Sequence, residues 1–175
     1  GKGEKMKKCF KLLLAGIMVF TLVACGGEEK ASEEENVKEI NIAVSPDYPP
    51  YESLDTDGKT IVGFDADMIA LFPEYLNDGD TTYKFVWHSM SFENIVSQVQ
   101  GGQVDIGVSG FTYDKSRKVA WSKPYTATAQ VAVVDKDSDI KTVKDLEGKT
   151  IAAQSGSTGE KAAKEIKNAN VVSVT

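Results

Sequence analysis

Cysteine is nearly absent from this chain. Only Cys9 and Cys25 occur in 175 residues. Both sit near the N-terminus, so the body of the chain has no pair with which to form a disulfide, and its fold must stand on a hydrophobic core. Histidine occurs once, as His88, without the Cys or His companions a metal site would need. Long apolar runs are missing too. The longest, Leu12 to Ala24, has about 13 residues where a membrane-spanning helix needs roughly 20. Positive charge is short beyond that run. Five of the 20 Lys and Arg and one of the 26 Asp and Glu precede Cys25, leaving 15 and 25 after it and a net charge of −10. Such a surface repels nucleic acid and anionic lipid, so neither is an expected partner of the domain. No internal repeat is visible.

What is present begins with a leader. From Met6 the chain reads MKKCFKLLLAGIMVFTLVACGG: a basic start, an apolar run and small residues around a cysteine, the plan of a secretory signal. Gly1 to Lys5 read as sequence upstream of the natural start. Leu22-Val23-Ala24-Cys25 resembles the lipobox of bacterial lipoproteins, which implies cleavage after residue 24 and diacylation of Cys25. The protein is then expected outside the cytoplasm, held to the cell membrane by its acyl chains. Residues 25–37, polar and acidic, cannot bury a core and read as a flexible tether.

Strand and helix signals then alternate. Glu39 to Val44 and Thr60 to Gly63 read as strands, and Asp65 to Leu76 as a helix strained by Pro73. Tyr83 to Trp87 alternates as a strand. Phe92, Ile95, Val96 and Val99 fall at helical spacing, stopped by Gly101-Gly102. Val104 to Val108 is an apolar strand. After Pro124, Ala129 to Val134 and Lys149 to Ala153 read as strands, Val143 to Leu146 as a short turn or helix, Ser157 to Lys167 as a helix, and Val171 to Thr175 as another strand. This order predicts an open α/β sheet with right-handed crossovers, followed by a second, smaller unit.

Several segments in this order resemble the polar amino-acid family of solute-binding proteins of ABC transporters. They are Ser45-Pro-Asp-Tyr-Pro-Pro-Tyr-Glu52, Gly63-Phe-Asp-Ala-Asp67, Trp87 through Phe92 and Gln103 through Thr112. Arg117, Ser122-Lys-Pro-Tyr125 and Ser155-Gly-Ser-Thr-Gly159 complete the set. The resemblance implies an α/β, two-lobed type 2 periplasmic-binding-protein fold closing on a free amino acid. Residues 38–127 would supply lobe 1 without its return strands, and residues 128–175 a hinge strand and the start of lobe 2. Ligand contacts would fall to Tyr48, Phe92, Ser109, Gly110, Thr112, Arg117, Ser157 and Thr158. A planar guanidinium at Arg117 can grip a carboxylate through two parallel hydrogen bonds. Gly110 and Thr112 would offer backbone and hydroxyl partners, Ser157 and Thr158 the start of a helix, and Tyr48 and Phe92 aromatic walls. The implied partners are an amino acid and an ABC permease, with the binding protein a monomer that needs no cofactor or metal. Between Arg117 and Trp121 the chain is about two residues shorter than the commoner family pattern. The family's ammonium-binding acid of lobe 2 would lie beyond Thr175.

Other chemistry finds little support. Asp65 and Asp67 open a helix and are expected to serve its dipole and cap. Asp135, Asp137 and Asp139 resemble a calcium loop, but Ile140 stands where that loop needs Gly and Leu146 where it needs Glu. Gly148-Lys149-Thr150 resembles the end of a phosphate loop, yet Val143 replaces its first Gly and a strand follows. No nucleophile-elbow motif occurs, and His88 reads as a surface or rim residue. A binding protein without catalysis is the expectation. The alternatives are a cyclohexadienyl dehydratase on the same fold, and a binding domain joined to a sensor or a permease. Ser45 stands where binders of basic amino acids often carry an acid, which weighs against lysine or arginine as ligand; Glu52 near the aromatic wall weighs the other way.

Overall fold

The computed structural model describes residues 36–175. The leader, the lipidation position Cys25 and most of the tether lie outside the described residues. Strand β1 (Asn36–Val44) is the centre of the first sheet. It pairs in parallel with β5 (Thr81–Ser89) along its whole length, from Asn36 opposite Thr81 to Val44 opposite Ser89. On its other side it pairs with β6 (Ile106–Gly107). The strand order is therefore β5-β1-β6. Ile42, Ala43 and Val44 are fully buried in succession, as befits a parallel strand covered on both faces.

Two helical crossovers join these strands. The first is broken into α1 (Phe64–Ala70) and α2 (Phe72–Leu76). The predicted single helix breaks at Leu71 because Pro73 has no N–H to continue the ladder and takes a first-turn position of α2 instead. The second is α3 (Phe92–Gln100), which places Phe92 and Ile95 in a cluster with Ala43 and Val104, flanked by Met90, Val99 and Phe111. The predicted strand at Val104 to Val108 shrinks to Ile106–Gly107, the residues that meet β1.

Between β1 and α1 a small antiparallel sheet forms from β2 (Asp47–Tyr48), β3 (Glu52–Leu54) and β4 (Ile61–Val62). Gly63 closes it onto α1: its φ is 119°, and a Cβ there would lie 2.5 Å from the Tyr51 carbonyl oxygen. A side chain has no room at this approach.

A second α/β unit follows. β7 (Thr150–Gln154) and β8 (Asn170–Val174) pair in parallel across α4 (Thr158–Lys164). A 3-10 turn at Val143–Leu146, capped by a reciprocal pair between Thr142 and Asp145, precedes them. The strand expected over Ala129 to Val134 is not formed: no regular element lies between β6 and the 3-10 turn, and Val131 and Val133 are 77% and 92% exposed. Its apolar run suits a strand, but a strand exists only when a neighbour takes its hydrogen bonds, and none does among the described residues. No helix among them is long and apolar enough to cross a membrane.

Candidate functional site

Parallel α/β sheets gather ligands beyond the carboxyl ends of their strands, where the chain turns away and leaves backbone groups and side chains convergent. Three such exits lie together here. β1 runs out into Ser45–Tyr48, β6 into Val108–Thr112 and β7 into Ser155–Ser157. Every sequence-predicted ligand residue except Phe92 and Arg117 lies on one of these turns or at the helix start that follows. Phe92 opens α3, and Arg117 lies just after the β6 exit.

Arg117 is the hub. It is half-buried, and burial lowers its pKa from the ordinary value while Asp114 opposes the shift. One terminal nitrogen donates to the Thr112 carbonyl (2.8 Å) and the other to the Gly156 carbonyl (2.9 Å). Its carbon lies 5.2 Å from the Phe111 ring centre and 5.8 Å from that of Phe92. A guanidinium carries five N–H donors in one plane, so these two bonds orient the fork without exhausting it.

The predicted aromatics divide the work differently from the expectation of two walls. Tyr48 is 45% exposed, and its ring lies flat against Gly110, where a Cβ would approach a ring carbon to 2.8 Å. Tyr51 stacks behind it at 5.5 Å. Phe92 is only 6% exposed and packs against Phe111 at 4.5 Å, so it supports Arg117 from the core.

Ser109 is buried: its hydroxyl donates to Glu52 Oε1 (2.8 Å) and accepts from the Ser45 N–H (3.3 Å). The Gly110 N–H also donates to Glu52 Oε1 (2.8 Å), which leaves the Gly110 carbonyl as the group that can face a ligand ammonium. Thr112 is exposed. Ser157 is the N-cap of α4, its hydroxyl accepting from the Glu160 N–H, while Thr158 begins the helix and accepts from Gln130.

Four further contacts join the two α/β units. Gln154 donates to Asp47 (2.7 Å), Ser155 donates to Glu93, Lys161 pairs with Asp114 at 2.8 Å, and Gly156 lies against the backbone of Glu93. The Asp114 carboxylate is held well below its usual range, chiefly by Lys161. The exits of both units therefore face each other across Arg117.

A match to the family described as bacterial extracellular solute-binding proteins, family 3, covers residues 40–171. The chain belongs to that family. This family 3 chain is 34% identical over 163 residues to the arginine-binding extracellular protein ArtP of Bacillus subtilis, a match spanning 92% of the chain and 61% of ArtP. It is 31% identical over 154 residues to ABC transporter arginine-binding protein 1 of Escherichia coli, with 86% and 56% covered. Among solved structures, the substrate-binding protein of an amino acid ABC transporter superposes with a TM-score of 0.70 at 35% identity, over 78% of this chain and 61% of that one. An ancestral amino-acid-binding protein, a precursor of cyclohexadienyl dehydratase, superposes at 0.66 with 31% identity, over 78% and 60%. The fold class is thus the two-lobed periplasmic-binding-protein fold, and the relatives are extracellular amino-acid-binding proteins. The chain spans about three-fifths of the length of the relatives it matches.

Some site-building residues escaped the sequence reading. Glu52 does not face a ligand's side chain: it is fully buried and bonded to Ser109 and Gly110. Asp65 caps nothing: α1 has no side-chain cap, and the Asp65 carboxylate is 1% exposed and accepts from the Tyr125 hydroxyl (2.9 Å). The only local sign is an acid in each of two segments, the family-like run ending at Glu52 and the helix start at Asp65. His88 is exposed and bonded to Asn41, as expected of a rim residue. Among the described residues no cluster could hold a metal ion.

Proposed function

We propose that this protein is a monomeric, lipid-anchored extracytoplasmic binding protein that captures a free amino acid between two lobes and hands it to an ABC permease. Lobe 1 would comprise residues 38–127, and residues 128–175 would open lobe 2. The observation that carries this reading is the Arg117 guanidinium, oriented from both units yet keeping donors for a carboxylate. The Gly110 carbonyl and Thr112 would take the ammonium and carboxylate from lobe 1, Tyr48 would wall the side chain, and Ser157 and Thr158 would approach from lobe 2. Cys25 would carry the lipid. A micromolar dissociation constant, about −8 kcal/mol, suffices for capture. Arginine-binding relatives make arginine the first ligand to try, although Ser45 offers it no charge and Glu52 is committed elsewhere.

The test is thermal unfolding of the full chain, without lipid, against a panel of free amino acids and cyclohexadienyl acids. A ligand that binds the native state raises the midpoint by mass action. A rise with one or a few amino acids supports capture. No rise with any of them, together with turnover of a cyclohexadienyl acid, favours the dehydratase reading that the ancestral neighbour keeps in view.

A further inference from the structure

Glu52 and Asp65 form a buried pair of carboxyl groups. They are 0% and 1% exposed. The backbone forces them together. The Asp65 N–H donates to the Tyr51 carbonyl (2.9 Å) and the Phe64 N–H to the Pro50 carbonyl (3.0 Å), so the start of α1 is pinned to the turn before β3. Gly63 permits the approach, which brings the two carboxyls within each other's reach.

Their oxygens are unevenly supplied with donors. Glu52 Oε1 accepts from the Ser109 hydroxyl and the Gly110 N–H, and Asp65 Oδ1 accepts from the Tyr125 hydroxyl. The remaining oxygens, Glu52 Oε2 and Asp65 Oδ2, are buried and find no donor among the surrounding groups. One is left on each carboxyl, and one proton between them satisfies both. Two ionised carboxylates in such a dry contact would repel strongly, with no compensating partner.

We propose that a single proton held between Glu52 and Asp65 positions the ligand segment Ser109–Gly110. Glu52 is a neutral acid that donates to Asp65 through Oε2 and receives Ser109 and Gly110 on Oε1. The pair thereby ties the hairpin, α1 and the β6 exit into one unit, with Tyr125 bonded to its far side. This rests on reading Ser109–Thr112 as part of the ligand site. Glu52 is a positioning residue, acting through Gly110.

The electrostatics agree with the geometry. Burial, then the bond to Asp65, raises the Glu52 pKa from 4.5 to about 8. Besides Asp65 on α1, the titratable groups facing the pair are Tyr125 from the segment after β6 and Tyr51 from the turn before β3, neither of them a cation. Burial, then Asp65, pushes the Tyr125 hydroxyl up, so it stays a donor.

Three readings on the full chain test this. Infrared spectra at neutral pH are expected to show the carbonyl stretch of a buried protonated acid, removed by Glu52→Gln. The folded pKa lies above the unfolded one. The pair's contribution is therefore complete below 4.5 and lost as pH rises through about 8. The wild-type melting midpoint should carry this loss, and Glu52→Gln, whose amide supplies the same donor and acceptor without titrating, should lack it. Arginine affinity should fall about tenfold in the wild type by about pH 9, and clearly less in Glu52→Gln. Absence of the acid band, or equal alkaline loss in Glu52→Gln, overturns the shared proton. If the wild type binds no amino acid, the reading of the ligand site fails, while the spectrum and the midpoints still decide the proton.

Discussion

The Arg117 guanidinium donates to the carbonyl of Gly156, 39 residues further along, at 2.9 Å. This bond runs from the segment after β6 to the turn after β7, so the side chain best suited to a carboxylate also reports how closely the two units approach. Its other bond, to the Thr112 carbonyl, stays within the first unit. A ligand carboxylate placed on the remaining donors would share the same fork.

Arg117→Ala is accordingly expected to weaken amino-acid binding by about 2 kcal/mol or more, the scale of a lost charge-assisted pair. Arg117→Lys should recover only part of it, because an ammonium cannot reproduce the planar fork. Isothermal titration at fixed pH measures both, and unchanged affinity in the alanine variant would remove Arg117 from the site.

Gly156 has φ 75°, and a Cβ there would lie 3.1 Å from Glu93 Cα. Gly148 has φ 70° with nothing within 4 Å of such a Cβ. Alanine at either position should cost about 1–2 kcal/mol of stability through left-handed backbone strain. Only Gly156→Ala should also weaken ligand binding, by keeping the units apart. Equal affinities in the two variants would sink the idea that close approach at Gly156 matters.

Lys161 and Asp114 bridge the units at 2.8 Å, with Lys161 59% exposed. The Asp114 side chain is 12% exposed, but with the lysine open to solvent a pair of this kind contributes little. A double-mutant cycle with Asp114→Asn and Lys161→Met, read on ligand affinity, should give a coupling below about 1 kcal/mol. It should vanish near 1 M salt, where screening reaches about 3 Å. A large, salt-independent coupling would make the pair a structural element of closure instead.

Glu160 gathers Lys164 at 2.8 Å, the Ser173 hydroxyl and the Gly156 N–H at 3.0 Å. These partners, Lys164 foremost, lower its pKa from 4.5 to about 2. With the folded value depressed, the contribution is present above 4.5 and disappears as pH falls through about 2. Glu160→Gln should therefore lower the melting midpoint at neutral pH and flatten its acid limb. A midpoint equal to the wild type at both ends would show that the cluster adds nothing.

Much of the architecture was legible because it is local. The run ending in Ile42-Ala43-Val44, the spacing of Phe92, Ile95 and Val99, and the stop at Gly101-Gly102 each announce one element, and each forms. Pro73 announced strain in its helix, and the break falls two residues before it. Where an element depends on a neighbour, the pattern was not enough. Ala129 to Val134 is as apolar as a strand should be, but residue types cannot supply hydrogen-bond partners, and the segment lies exposed.

The same division runs through the site. Residue types matched to the family pattern name Tyr48, Gly110, Thr112, Arg117 and the Ser157-Thr158 helix start as ligand candidates, because an amino acid demands a cation, carbonyls, hydroxyls and an apolar wall. Only the tertiary structure decided that Phe92 backs Arg117 from the core, that Gly110 gives its N–H to Glu52, and that Glu52 meets Asp65 rather than solvent. Those contacts join residues on different elements. Whether they meet depends on sheet register, on a close approach at Gly63 and on which oxygen finds a donor, and these are properties of the packed chain that no stretch of sequence carries alone.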